Sequence, residues 1–239
     1  MGRVVKFAEI ATRTAGDGVQ IGPITSGDAR QFAAELVRIA PGKRWSATAP
    51  KGADCYVFSL KGGGTIHATT PPRDLPEQSF AIIEGGTEFA VENAGEFGIE
   101  MLQVVTPVNS ASALAGFTGG MAVAERAKTA VVPVPDQKKR VYFCGHEHGA
   151  HTERGHAMIV IYTSQTFTPL HHHPNAESLF VLLDGACEFT VNGAKVVVKP
   201  GEGAYFTMND IHGLHTAQGH AGASFLEFHI PAAFTTVKL

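Results

Sequence analysis

Short runs rich in β-branched and aromatic residues, each closed by glycine, proline or asparagine, recur along almost the whole chain. In the first half they read QFAAELVRIA (31–40), CYVFSL (55–60), GTIHA (64–68), FAIIE (80–84), TEFAVEN (87–93) and GIEMLQVVT (98–106). In the second half they read RVYFC (140–144), AMIVIYT (157–163), LFVLL (179–183), CEFTV (187–191), AKVVVKP (194–200) and ASFLEFHI (223–230). Few windows of helical length place apolar residues at i, i+3 and i+4, and 27 glycines and 13 prolines punctuate the chain. Many short strands between such turns indicate an all-β sandwich or barrel with few short helices. VNG at 191–193 is the signature of a two-residue hairpin turn.

The two halves repeat one another. CYVFSLKGGGTIHA (55–68) aligns with SLFVLLDGACEFTV (178–191), and Gly62 then falls on Gly185. The expected organisation is two tandem barrels, residues 1–108 and 131–239, joined by a small-residue link at 109–130 with a short helix near Met121–Arg126. At 25.3 kDa the chain can bury a sizeable core without disulfides. A net charge of -3, with no long basic run, argues against nucleic acid as the partner. No stretch reaches the roughly 18 apolar residues needed to span a membrane. Three cysteines without a CxxC pair, and no apolar leader, fit reduced thiols in a cytoplasmic protein.

Histidine is distributed unevenly: of twelve, only His67 precedes Arg140. The segment TPLHHHPNAESLFVLLDG (168–185) is followed by VVVKPGEGAYFTMNDIHGLH (196–215). Strand alternation puts His171 and His173 on one face and turns His172 away. Two imidazoles so spaced can meet one ion, with His212 as the third ligand from a neighbouring strand. In the first half, Thr48, Pro50 and Thr87 occupy the positions of His171, His173 and His212. Among the repeat's counterparts of the candidate ligands only Asp54, opposite Glu177, remains able to bind a metal well.

These residues resemble the cupins. In that family a first motif carries His-x-His, then three or four residues, Glu, six residues and Gly; a second runs from a Pro-Gly turn to a single His. His171, His173 and Gly185 match the first motif, and Pro200, Gly201 and His212 match the second. The resemblance covers most of residues 140–239 directly and reaches about 30–106 through the repeat. It implies a bicupin of two jelly-roll barrels, the N-terminal one degenerate and the C-terminal one metal-binding. The Glu position is ambiguous: the shorter spacing gives Glu177 and the longer gives Ser178. Adjacent strand residues face opposite ways, so one of them points inward unless a bulge intervenes. The expected ligands are therefore His171, His173 and His212, with Glu177 as a fourth or with none. Such a set suits one divalent ion per chain among Fe, Mn, Ni, Co and Zn, Fe(II) being placed first.

Other candidates carry alternatives. Along the last run Phe225, Glu227 and His229 alternate with Leu226, Phe228 and Ile230, and the apolar set is the one expected in the inter-sheet core; if the first set instead lines the lumen, Glu227 serves as general base and His229 as a proton partner or oxyanion donor. GHEHGAHTERGH (145–156) is a second metal site, a lid reaching the C-terminal site or, preferably, an exposed loop at the barrel entrance. His172, His215 and His220 read as peripheral. Cys187, Tyr205, Phe206 and Met208 read as core or pocket wall. The implied function is a metal-dependent enzyme acting on a small oxygen-rich organic molecule, a dioxygenase first. The alternatives are a non-redox metal enzyme (isomerase, decarboxylase, lyase or aminohydrolase) and a non-catalytic binding bicupin. A homodimer is expected, since cupin barrels commonly pair through sheet edges and faces.

Overall fold

A computed structural model describes residues 2–68, 71–106 and 114–239. Residues 107–113, where the link was expected to begin, lie outside the described residues. The architecture is two jelly-roll barrels, each a large sheet facing a smaller one. In the first, a seven-stranded sheet ordered Met121–Ala124, Phe80–Glu84, Asp54–Lys61, Ile99–Thr106, Ala33–Ile39, Val19–Pro23 and Arg13–Thr14 faces a four-stranded one. In the second, an eight-stranded sheet centred on Glu177–Gly185, Gly222–Ile230 and His156–Thr163 faces a five-stranded sheet. The only helical elements among the described residues are single 3-10 turns at Phe7–Glu9 and Arg126–Lys128. None of these is long and apolar enough to cross a membrane.

The near-continuous apolar runs have a simple cause: the two large sheets lie back to back, so both faces of their central strands are buried. In Asp54–Lys61, Cys55 and Val57 join the interior of the first barrel, while Tyr56 and Phe58 enter a core shared between the barrels. Glu177–Gly185 behaves likewise, with Phe180 and Leu182 turned into its own barrel and Leu179 and Val181 into the shared core. Aromatic rings fill that core. Phe80 stacks on Phe143 with centroids 5.2 Å apart, and Tyr56 stacks on Phe228 at 5.8 Å. Phe143 is fully enclosed, so Phe143→Ala is expected to lower stability by about 3–5 kcal/mol in denaturant unfolding. Wild-type stability in that variant would show that the shared core does not hold the barrels.

Polar links cross the same boundary. The Asp54 carboxylate, fully buried, accepts hydrogen bonds from Thr152 Oγ1, from Tyr56 OH at 3.3 Å and from the Phe117 N–H at 3.0 Å. It also faces Arg154 at 3.4 Å. This residue, the one competent metal ligand among the first half's counterparts of the candidate ligands, is thus engaged in joining the barrels. The first strand of the chain, Arg3–Lys6, pairs with Glu202–Phe206 and so lies in the second barrel's large sheet, covering an edge.

Two turns show the repeat directly. Gly62 and Gly185 both take left-handed backbone, at φ 72° and 66°. A side chain at Gly185 would also sit 2.2 Å from the Gly222 carbonyl oxygen. The VNG hairpin forms between Cys187–Val191 and Ala194–Val198, with Asn192 and Gly193 both at positive φ as a type I′ turn requires. The helix expected near Met121–Arg126 is instead the strand Met121–Ala124, paired with Phe80–Glu84 and followed by a 3-10 turn. An apolar run so short has no period of its own, and the open sheet edge decides its conformation.

Candidate metal centre

Strand Phe167–His172 pairs with His212–Thr216 so that His171 lies directly opposite His212. A register shift between Thr168 and His171 re-aims the end of the first strand, and His173 follows just beyond it. The three rings converge: centroids lie 4.3 Å apart for His171 and His212, 5.0 Å for His171 and His173, and 5.3 Å for His173 and His212. One ligand nitrogen from each ring lies within 4.8 Å of the other two.

The hydrogen bonds settle which nitrogens face inward. Each Nδ1 sits against a backbone carbonyl: His171 against Pro169 at 2.8 Å, His173 against Thr235 at 2.9 Å, and His212 against Asp210 at 2.9 Å. A carbonyl only accepts, so each Nδ1 carries the proton and each Nε2 keeps its lone pair. The Nε2 atoms of His173 and His212 are buried without a hydrogen-bond partner among the described residues. Unpartnered buried acceptors of this kind are costly unless something fills their common space. The cluster therefore fits a divalent ion held by three neutral imidazoles.

Burial lowers the pKa of all three rings, His173 to about 4 and His212 to about 3. Half-buried His156 falls to about 4 for the same reason. Unfolded, these groups titrate near 6.5. Because the folded values are the lower ones, the unfolded chain takes up more protons as the medium is acidified. The metal-free protein should hold its full stability above about pH 6.5 and lose a few kcal/mol as pH falls toward 4. Chemical denaturation across that range checks this; a flat profile contradicts it.

Glu177, expected as an optional fourth ligand, is not among the converging groups. Its carboxylate oxygens accept hydrogen bonds from the Arg30 N–H at 3.0 and 3.1 Å and the Gln31 N–H at 3.0 Å, both from the first barrel. Between Glu177 and Leu182 the strand pairs regularly, without a bulge, so Ser178 faces the lumen, where its Oγ lies 2.9 Å from His229 Nδ1. Glu177→Ala should therefore leave metal content unchanged and cost about 2–3 kcal/mol of stability through the lost backbone acceptor. Loss of metal on elemental analysis would overturn this placement.

Glu227 and His229 line the lumen, while Leu226, Phe228 and Ile230 enter the core between the barrels. His229 Nε2 lies 2.5 Å from Glu227 Oε1, giving a chain from Glu227 through His229 to Ser178. Burial would raise the Glu227 carboxyl, but the His229 hydrogen bond and the nearby charges of His229 and Arg140 outweigh it and hold it at about 2. His229 in turn is 4.7 Å from His173, centroid to centroid, so this chain adjoins the cluster.

Both groups face a cavity of about 440 Å³. Several of its walls carry no motif. Phe234 stacks on His229 at 3.9 Å and Thr235 supplies the carbonyl that orients His173, both from the segment after the last long strand. Lys138, Arg140 and Tyr162 line the same space. Strand alternation in KKRVY could have marked Lys138, Arg140 and Tyr142 as one face, but not as the inner one.

The remaining histidines fall elsewhere. His172 stands outside the cluster. The 145–156 segment brings no second group of three ligands together among the described residues: His146, His148 and His151 are exposed, and only His156 turns inward. His215 pairs with Glu188 at 3.2 Å, and His220 is exposed. Cys187 is buried and its thiol pushed up to about 12, which leaves it inert at neutral pH. Tyr205 belongs to the core between the barrels, Phe206 stacks on His212 at 4.1 Å, and Met208 takes a hydrogen bond from Gln31.

Two jelly rolls in one chain, one carrying three inward-facing neutral imidazoles at the edge of a cavity, define a double-barrel protein with a divalent-metal type of site. A family profile described as the cupin domain matches residues 146–229, the span that holds all three histidines. The matched segment lies in the second barrel, which has the architecture of a cupin domain. A putative glyoxylate-induced protein from Pseudomonas aeruginosa superposes with a TM-score of 0.78 at 16% identity, covering 100% of this chain and 91% of that one. Protein YlbA from E. coli gives 0.78 at 11% identity, with 96% and 90% coverage. An oxalate decarboxylase from Lactobacillus farciminis, solved as a formate complex, gives 0.74 at 14% identity, with 99% and 88% coverage. At these identities the likeness is one of fold. No curated protein matches the sequence.

Proposed function

We propose that the second barrel is a metal-dependent enzyme acting on a small oxygen-rich organic molecule, with dioxygenation as its reaction. The observation that carries this reading is the ligand set: three imidazoles with their outer nitrogens locked, their inner nitrogens free and no carboxylate joining them. When bound there, a divalent ion supplies a Lewis-acid centre with positions left for substrate and, if iron, one-electron chemistry toward O2. The rest falls to the chain's own residues. Phe180, Leu214, Phe234 and Tyr162 give the cavity apolar walls that limit water. Glu227 accepts a proton from the substrate as it enolises. Held ionised by the His229 hydrogen bond, it keeps that proton only until it returns it to the product, while His229 and Ser178 fix its orientation.

The same proton-handling chain favours a second reading, non-redox chemistry at the same ion. The two separate in one experiment. Protein loaded anaerobically with Fe(II) or Zn(II) is offered β-diketones, hydroxy acids and hydroxy-aromatics, following O2 uptake and substrate loss. Uptake with iron alone supports the dioxygenase; turnover that survives zinc supports the alternative. Loss of no substrate with either metal would leave a binding module.

A further inference from the structure

The cavity beside the histidines carries more positive charge than the protein neutralises. Arg140 lies opposite Val160 on the neighbouring strand, and Lys138 shares its parity, so both project into the lumen beside Tyr162. Lys238, from the short strand Val237–Lys238, faces the same space. Among the described residues none of the three lies within ion-pair distance of a carboxylate. Lys138 donates to Thr168 Oγ1 at 3.0 Å and lies over the Tyr162 ring at 5.7 Å; Arg140 donates to the Tyr142 hydroxyl at 3.3 Å. These partners are all neutral. Arg140 Nε is buried with no hydrogen-bond partner at all. The cavity's two acids do not close the balance: Glu227 feels the charge of Arg140 but is hydrogen-bonded to His229, and Asp136 is exposed at the rim, so three cations face two carboxylates.

Part-buried cations with neutral partners are unfavourable unless an anion joins them, and a guanidinium with a free Nε edge matches a planar carboxylate in two-point geometry. We propose that the cavity selects a small organic dianion: one end occupies the three-histidine centre, and a distal carboxylate is received by Arg140 and Lys138, with Lys238 at the mouth. This deepens, and rests on, the metal-enzyme reading above. A volume of about 440 Å³ suits a molecule of this size. Arg140 and Lys138 are then specificity residues, set apart from the metal-binding end of the substrate.

Calorimetric titration tests it, with malonate, succinate and glutarate as probes, each against its monomethyl and dimethyl esters. The protein is used both zinc-loaded and metal-free. The best-fitting dianion should bind at least tenfold more tightly than its monoester, and the difference should shrink with added salt. Arg140→Gln should erase that preference while metal content by elemental analysis stays at the wild-type level. Lys238→Gln should reduce it only a few-fold. Equal affinity for acid and monoester throughout the series, or a preference that survives Arg140→Gln, overturns the proposal. Competition by sulfate as effective as by the best dicarboxylate would also overturn it. If no metal loads but metal-free protein keeps an Arg140-dependent preference for the dianion, the metal-enzyme reading fails and the anion site stands.

Discussion

His212→Ala should leave the second barrel folded and empty of metal. Three ligands are the fewest that hold a divalent ion firmly in an open site, and their outer nitrogens are already fixed by Pro169, Thr235 and Asp210. Loss even of such outer partners commonly weakens metal binding 10–100-fold, so loss of a ligand should cost at least about 100-fold. Elemental analysis of untagged protein reads this directly, with His171→Ala expected to behave alike. The variant should not unfold, because His212 is neutral and its Nε2 contributes no hydrogen bond within the protein. What is lost is the stack on Phe206 and one carbonyl contact, about 1–2 kcal/mol. His172→Ala is the internal control: one residue from two of the ligands but outside the cluster, it should keep full metal content. Stoichiometric metal in His212→Ala would remove the basis for treating the cluster as a metal centre.

That centre was readable because its signal is local. His-x-His on a strand fixes two rings on one face, and a Pro-Gly turn before a lone histidine brings the third from a paired strand. Glu177 was not readable for the opposite reason. Motif spacing and strand parity gave different answers, and the choice rests on backbone N–H groups of Arg30 and Gln31, far away in sequence. The last long strand shows a second kind of limit. Alternation separates Glu227 and His229 from Leu226, Phe228 and Ile230 with no ambiguity, yet both sets are buried, one in a lumen and one between barrels. Hydropathy therefore cannot say which set lines the cavity. Arg3–Lys6, crossing into the second barrel, and Phe234, stacking on His229, depend on tertiary pairing alone and leave no pattern in the chain.

Glu227→Gln should abolish most turnover while sparing both metal and fold. The amide keeps the size of the side chain and can still accept from His229 Nε2, so the chain to Ser178 can persist. What disappears is the ability to take a proton, worth roughly 10²–10⁴ in rate where a positioned base acts in the rate-determining step. A merely structural role predicts a different outcome: removing the charge would loosen His229 and, through the contact with His173, disturb the metal. Metal content and turnover number measured on the same sample separate the two. Full metal with a large fall in kcat places Glu227 in the chemistry. Parallel loss of both would make it a positioning residue for the centre, and unchanged kcat would take the Glu227–His229–Ser178 chain out of the mechanism. Glu227→Asp sharpens the test, since it restores the charge but withdraws the carboxylate by one methylene. Partial recovery of rate at full metal occupancy is expected only if proton transfer is the function lost.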